Sequence, residues 1–289
     1  MPDRGVIEIN GIRLSYREQG TPQPEIPSIL ILHGLIASAE TFNELTAHLP
    51  HRHIVSLDMP GSGQSDPSHV EHPTFATLAA LVTQFAAQLS LGRPILVGHS
   101  HGGAISLRLA ANSPAWPHAL ILLSPAHPFS RHELGLVRFY LSPPGRLFAR
   151  SLPWLPKWLH LFAFRRMSGP RSRFTHQQLA PYLKTLRTPG TVSYMLRLLQ
   201  TWEQDMHHLG RDLDRTPLST PSLLLWGDSD IVVPFSTSSH LLRRLQSAKC
   251  VPLSGVGHLP NEESPEECAH VVETWLNGLQ TRLKDPHSA

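Results

Sequence analysis

Gly98-His99-Ser100-His101-Gly102-Gly103 is the stretch on which the reading of this chain turns. It lies between a short apolar run, Ile95-Leu96-Val97, and a helical pattern that begins near Ala104. The spacing predicts a strand, a sharp turn with a serine at its apex, and a helix. Glycine is required on both sides of such a serine. A turn this tight brings backbone against backbone, and a side chain at Gly98 or Gly102 would strike the neighbouring strand or helix. The turn would hold the Ser100 hydroxyl clear of a sheet. It would also set the N–H of His101 at a helix start, facing any negative charge that develops beside the serine.

Working outward, short apolar runs alternate with helical patterns. Val6–Ile9 and Ile12–Tyr16 flank Asn10-Gly11, which predicts an antiparallel hairpin. Ser28–Leu32 leads to His33-Gly34, and Ile54–Leu57 leads to Asp58-Met59-Pro60-Gly61-Ser62-Gly63. A helix is expected from about Thr74 to Leu91, then the Ile95–Val97 strand, a helix to about Ala111, and a buried strand Ala119–Leu123. Strands return at Ser222–Trp226 and Lys249–Leu253, with helices around Ser236–Gln246 and from about Pro265 to Leu283. Continuous apolar strands separated by helices predict an α/β fold, a mostly parallel sheet covered on both faces and opened by the hairpin. Ligands bind such sheets beyond the carboxyl ends of the strands. His33, Ser100, Asp230 and His258 all follow strands there.

Between residues 126 and 215 the alternation stops, giving way to helical periodicity and prolines. This predicts a core domain of residues 1–125 and 216–289 with a helical lid, 126–215, inserted after the sixth strand. The lid holds 14 Lys and Arg against 5 Asp and Glu, so a chain of net charge +3 carries most of its positive charge in this one segment. No basic–aromatic alternation of the nucleic-acid type accompanies it. Arg165, Arg166, Arg171 and Arg173 read as a solvated basic face, with steering of an anionic substrate as the alternative. Leu152, Trp154, Leu155, Trp158, Leu159, Phe162 and Phe164 read either as an apolar roof, with Trp154 and Trp158 lining the substrate, or as helix undersides packed on the core.

At 40% hydrophobic and 16% charged residues, the chain reads as a folded soluble protein of 289 residues. No run approaches the ~20 apolar residues of a membrane span. Met1-Pro2-Asp3-Arg4-Gly5 lacks the pattern of a secretory leader. Cys250 and Cys268 lack metal-like spacing and read as reduced, structural thiols of a cytoplasmic protein. No metal or other cofactor is expected. The expected partner is a small acyl substrate, without nucleic acid or stable membrane insertion, and the sequence suits monomer and homodimer alike.

A serine becomes a useful nucleophile near neutral pH through a base, and the base needs a group that fixes its tautomer. His258, in the loop Gly255-Val256-Gly257-His258, is the best base, and Asp230 the best orienting acid. Four motifs then occur in order: His33-Gly34, Asp58 to Ser65, Gly98 to Gly103, and Trp226 to Pro234 with Gly257-His258. Over roughly Val6 to Leu283 the chain resembles the α/β-hydrolase fold enzymes. The resemblance implies a Ser100–His258–Asp230 triad, Asp230 being selected over Asp228 by the pattern Gly-x-x-Asp. It also implies an oxyanion hole made by the N–H groups of Leu35 and His101. His101 departs from the hydrophobic residue usual after the serine. His33 is expected to brace the loop under the site and Ser124 to stand at its mouth, both as candidates to line the substrate. The activity implied is hydrolysis of a carboxylic ester or related acyl compound through an acyl-enzyme. Two alternatives are a C–C bond hydrolase acting on diketone-like products of aromatic degradation, and a ligand-binding receptor on a retained hydrolase fold. Epoxide hydrolases and haloalkane dehalogenases, which look similar, need aspartate where Ser100 stands.

Overall fold

The structure is a computed structural model and describes residues 3–66 and 73–284. Met1 and Pro2, part of the stretch read above for a leader, lie outside them. The chain opens with strands β1 (Asp3–Ile9) and β2 (Ile12–Gln19), paired antiparallel. Asn10 and Gly11 turn between them at φ 52° and 74°, the left-handed pair that a two-residue hairpin demands. Then come β3 (Ile29–Leu32), α1 (Asn43–Ala47), β4 (Ile54–Leu57), α2 (Phe75–Gln88), β5 (Ile95–His99), α3 (His101–Asn112) and β6 (Ala119–Leu123). Five helices follow: α4 (His132–Leu141), α5 (Pro143–Ser151), α6 (Lys157–Met167), α7 (His176–Arg187) and α8 (Thr191–Arg215). The alternation resumes with β7 (Ser222–Gly227), α9 (Ser238–Leu242), β8 (Ala248–Leu253), α10 (Pro260–Glu263) and α11 (Pro265–Lys284).

All eight strands form one sheet in the order β1-β2-β4-β3-β5-β6-β7-β8. It is parallel from β4 to β8, and within the opening hairpin only β2 runs against the other strands. The strands alternate with period two although both faces are buried. Leu30, Leu32, Leu96, Leu120, Leu122 and Leu224 enter the larger core beneath α2, α3 and α8. Ile29, Ile31, Ile95, Val97, Ile121, Leu123 and Leu225 enter the opposite core, which α11 closes with Cys268, Val272 and Leu276. Burial on both faces is why these strands read as unbroken apolar runs rather than as alternating ones. Cys250 and Cys268 are free thiols, and burial raises the pKa of each, Cys250 to about 11.

Two elements differ from the sequence expectation. The segment Ala39–Ala47 is helical, a 3-10 turn running into α1, and it seats Phe42 and Leu45 in the α11-side core. The helix expected over Ser236–Gln246 is cut to a 3-10 turn and the five residues of α9. There the chain is drawn off by a bridge in which Leu218 N–H donates to the Arg244 carbonyl and Gln246 N–H to the Leu218 carbonyl. Among the described residues, no helix is long and apolar enough to cross a membrane.

Candidate active site

β5 ends at His99, and the backbone turns at once into α3. Ser100 takes φ 49° and ψ −115°, a conformation that L-residues rarely adopt. Four main-chain bonds hold it there: Ser100 N–H donates to the Leu123 carbonyl, and its own carbonyl accepts from Gly103, Ala104 and Ala126. The flanking glycines are there for room. A Cβ on Gly98 would stand 2.5 Å from Ser106 Oγ and 2.6 Å from the Gly102 carbonyl oxygen, and one on Gly102 would collide with the carbonyl of Leu32.

The turn brings the Ser100 hydroxyl to the loops after β7 and β8. Ser100 Oγ lies 3.0 Å from His258 Nε2, and His258 Nδ1 lies 2.9 Å from Asp230 Oδ2. The second oxygen of Asp230 accepts the N–H groups of Val232 and Val233 at 2.8 and 2.9 Å. That carboxylate is fixed on both sides, so the His258 proton belongs on Nδ1 and Nε2 is free to accept from serine. Asp228 is exposed and points elsewhere. Its Oδ1 accepts from Gly255 N–H at 2.8 Å and from the Ser229 hydroxyl, and these bonds hold its carboxyl below the usual range.

His258 is seated through its backbone by bonds that motif reading did not find. His99 Nε2–H donates to the His258 carbonyl at 2.8 Å. Burial, with the adjacent His258 ring, pushes His99 down to about 3, so it is a neutral donor. The His258 N–H donates to the carbonyl of Met167, at the end of α6. Glu263 accepts three backbone N–H groups, from Gly257 and Gly169 on Oε2 at 3.0 and 2.7 Å and from Leu259 on Oε1 at 2.9 Å. The only sequence signal for Glu263 was its closeness to His258, five positions on, and such a pattern is too common to single it out.

Beside the Ser100 turn lies a cavity of about 20 Å³, room for one water-sized group. Its walls include His33, Leu35 and His101 from the core and Thr191, Tyr194, Met195 and Leu198 from α8. His101 is the first residue of α3, where no preceding turn supplies a partner for its N–H. The His101 ring packs against Phe75 and Trp202, its Nε2 has no partner, and burial lowers it to about 3. His33 is a brace as well as a wall. Its Nε2 accepts from Met59 N–H at 3.0 Å, so Nδ1 carries the hydrogen and donates to the Gly34 carbonyl at 2.7 Å. Burial lowers its pKa.

Three candidate lining residues are not among those walls. Ser124 is fully buried behind the nucleophile turn, at φ 40° and without a partner for Oγ. Trp154 and Trp158 are 84% and 67% exposed. The reason is helical phase: α6 turns His160 and Leu161 inward, which carries Trp158 to the outer face, and the turn after α5 buries Leu152 rather than Trp154. Among the described residues, no group of three or more His, Cys, Asp or Glu side chains could hold a metal ion.

Residues 29–271, from β3 to the first turns of α11, match the profile of the alpha/beta hydrolase family. The chain belongs to that family. It is 26% identical over 269 residues to the uncharacterized hydrolase YugF of Bacillus subtilis, a match covering 93% of this chain and 96% of that one. Human monoacylglycerol lipase ABHD6 is 26% identical over 272 residues, covering 90% of this alpha/beta hydrolase and 78% of the lipase. Among solved structures, Cfl2 from Burkholderia cenocepacia has the same fold, with a TM-score of 0.81 at 20% identity over 94% of this chain and 95% of that one.

Proposed function

We propose that this alpha/beta hydrolase cleaves a carboxylic ester or related acyl compound through an acyl-enzyme on Ser100. The observation that carries the reading is the unbroken line from Ser100 Oγ through the two nitrogens of His258 to Asp230, drawn from three separate loops. In the proposed reaction His258 Nε2 takes the serine proton as Oγ attacks the carbonyl carbon. Asp230 keeps the ring in the required tautomer and steadies its positive charge. The N–H groups of Leu35 and His101 receive the oxyanion. His258 then returns the proton to the leaving alcohol, and water, activated by the same ring, releases the acid.

A relative whose name specifies monoacylglycerol as substrate supports an ester of modest size. The reading treats residues 1–125 and 216–289 as the core and 126–215 as a lid. In its favour, α4 to α8 leave after β6 and return before β7, and α8 walls the cavity beside Ser100.

A fluorophosphonate probe tests the nucleophile. It is expected to label Ser100, with loss of labelling in Ser100→Ala. Ester turnover should fall by about 10⁴ to 10⁶ in that variant, with the thermal melt unchanged. Residual activity above one tenth would remove Ser100 from the mechanism.

A further inference from the structure

Seven of the nine large apolar side chains exposed among the described residues fall within 27 consecutive positions: Leu136, Phe139, Leu147, Phe148, Trp154, Trp158 and Phe162. Scattered exposed apolar residues are ordinary, but a cluster of this kind marks a surface that something covers. The same stretch is strongly basic. Residues 131–173 contain nine Arg and Lys and one acid, Glu133.

The two properties share faces. α5 buries Gly145 and Ala149, which leaves Leu147 and Phe148 on the outer side, with Arg146 and Arg150 beside them. α6 buries His160 and Leu161, so Trp158, Phe162 and Arg166 follow one another at four-residue intervals along its outer face. Phe139 and Phe148 touch across α4 and α5, ring centroids 6.0 Å apart, and His160 of α6 hydrogen-bonds the Leu152 carbonyl at the end of α5, so the three helices are neighbours. Arg138 is paired with Glu203, whereas Arg146, Arg150, Lys157 and Arg166 have no carboxylate partner among the described residues.

We infer that the outer face of α4 to α6 is a docking surface for an anionic lipid bilayer, on which the protein lies without spanning it. Charge argues for this occupant. A second copy joined by a two-fold contact would set Arg146, Arg150, Lys157 and Arg166, none paired with a carboxylate among the described residues, against their own copies, and like-charge juxtaposition is costly. Shape argues for it too. Trp154 at 84%, Leu147 at 71% and Trp158 at 67% project into solvent from α5, α6 and the turn between them. A fluid interface conforms to such relief, while a rigid partner must match it. Trp and Phe at headgroup depth flanked by Arg are the composition of an interfacial anchor.

The test is co-sedimentation of the full chain with vesicles of phosphatidylcholine alone and of phosphatidylcholine with one-third phosphatidylglycerol. Binding is expected to the anionic vesicles, weakening as salt rises. Arg146→Gln/Arg150→Gln/Arg166→Gln should lower the partition coefficient by about tenfold or more, on anionic vesicles only. Trp154→Ala/Trp158→Ala/Phe162→Ala should lower it by a similar factor on both, with thermal melts unchanged, because those side chains are already exposed. Absence of vesicle binding overturns the inference, and so does equal binding by wild type and the aromatic variant. Concentration-dependent dimerisation abolished by the aromatic variant, without vesicle binding, would assign the face to a second copy. Retention on poly-glutamate but not on vesicles would assign it to an acidic polypeptide.

Discussion

Ser100 and the residues around it show how local sequence and distant structure divide the work of building a site. Asp230 is tied on both oxygens, and Asp228, two positions earlier, spends its carboxylate on the Gly255 loop. Asp230→Asn is therefore expected to cost roughly 10²–10⁴ in kcat by admitting the wrong imidazole tautomer. Asp228→Asn should leave kcat near wild type. Steady-state kinetics on one ester decide between them, and the reverse order of effects would exchange their roles. Ser100, Asp230 and His258 were legible because each sits in a short segment whose glycines and strand context are written next to it. His99 and Glu263 were not. They act through backbone bonds to a loop about 160 positions away in one case, and to a loop and the distant Gly169 in the other, and no pattern at their own positions announces such partners.

At the scale of elements, the strands were legible to within one or two residues at β3 to β7, because two buried faces write a strand as an uninterrupted apolar run. The inserted helices were harder. In α6 apolar residues lie on both sides, so periodicity tells which residues share a face but not which face is inward. The aromatic roof was expected at Trp158, whereas the wall beside Ser100 comes from Tyr194, Met195 and Leu198 on α8. Met195→Ala is accordingly expected to enlarge the space for the acyl chain. On a series of model esters, kcat/KM should rise by roughly 1 kcal/mol or less for each methylene newly admitted. Trp158→Ala should leave the chain-length profile on soluble esters as it is. A profile altered by Trp158→Ala and untouched by Met195→Ala would place the acyl chain elsewhere.

For the molecule as a whole, Glu262 couples folding to pH. It is buried where α10 meets α7, and there it accepts from the Tyr182 hydroxyl at 2.5 Å. Burial, opposed by that bond and aided by the nearby Glu263 and Glu44 charges, raises its pKa to about 8. The folded chain thus holds a proton that the unfolded chain releases near 4.5. The stability this contributes is present in full below the unfolded value and is lost as pH rises through about 8. Thermal melts of Glu262→Gln should fall less steeply than wild type over that window, and parallel curves would show that Glu262 is not the proton's site.

The seat of His258 has a further consequence. One of its backbone bonds goes to the Met167 carbonyl, and one oxygen of Glu263 grips Gly169 and Gly257 together. The end of α6 cannot rise from the sheet by more than the length of a hydrogen bond without loosening the loop that aims the imidazole. On the proposed chemistry, admission and attack are separate moments in each cycle: a chain open wide enough to take in a substrate has its safety on, and shutting arms it.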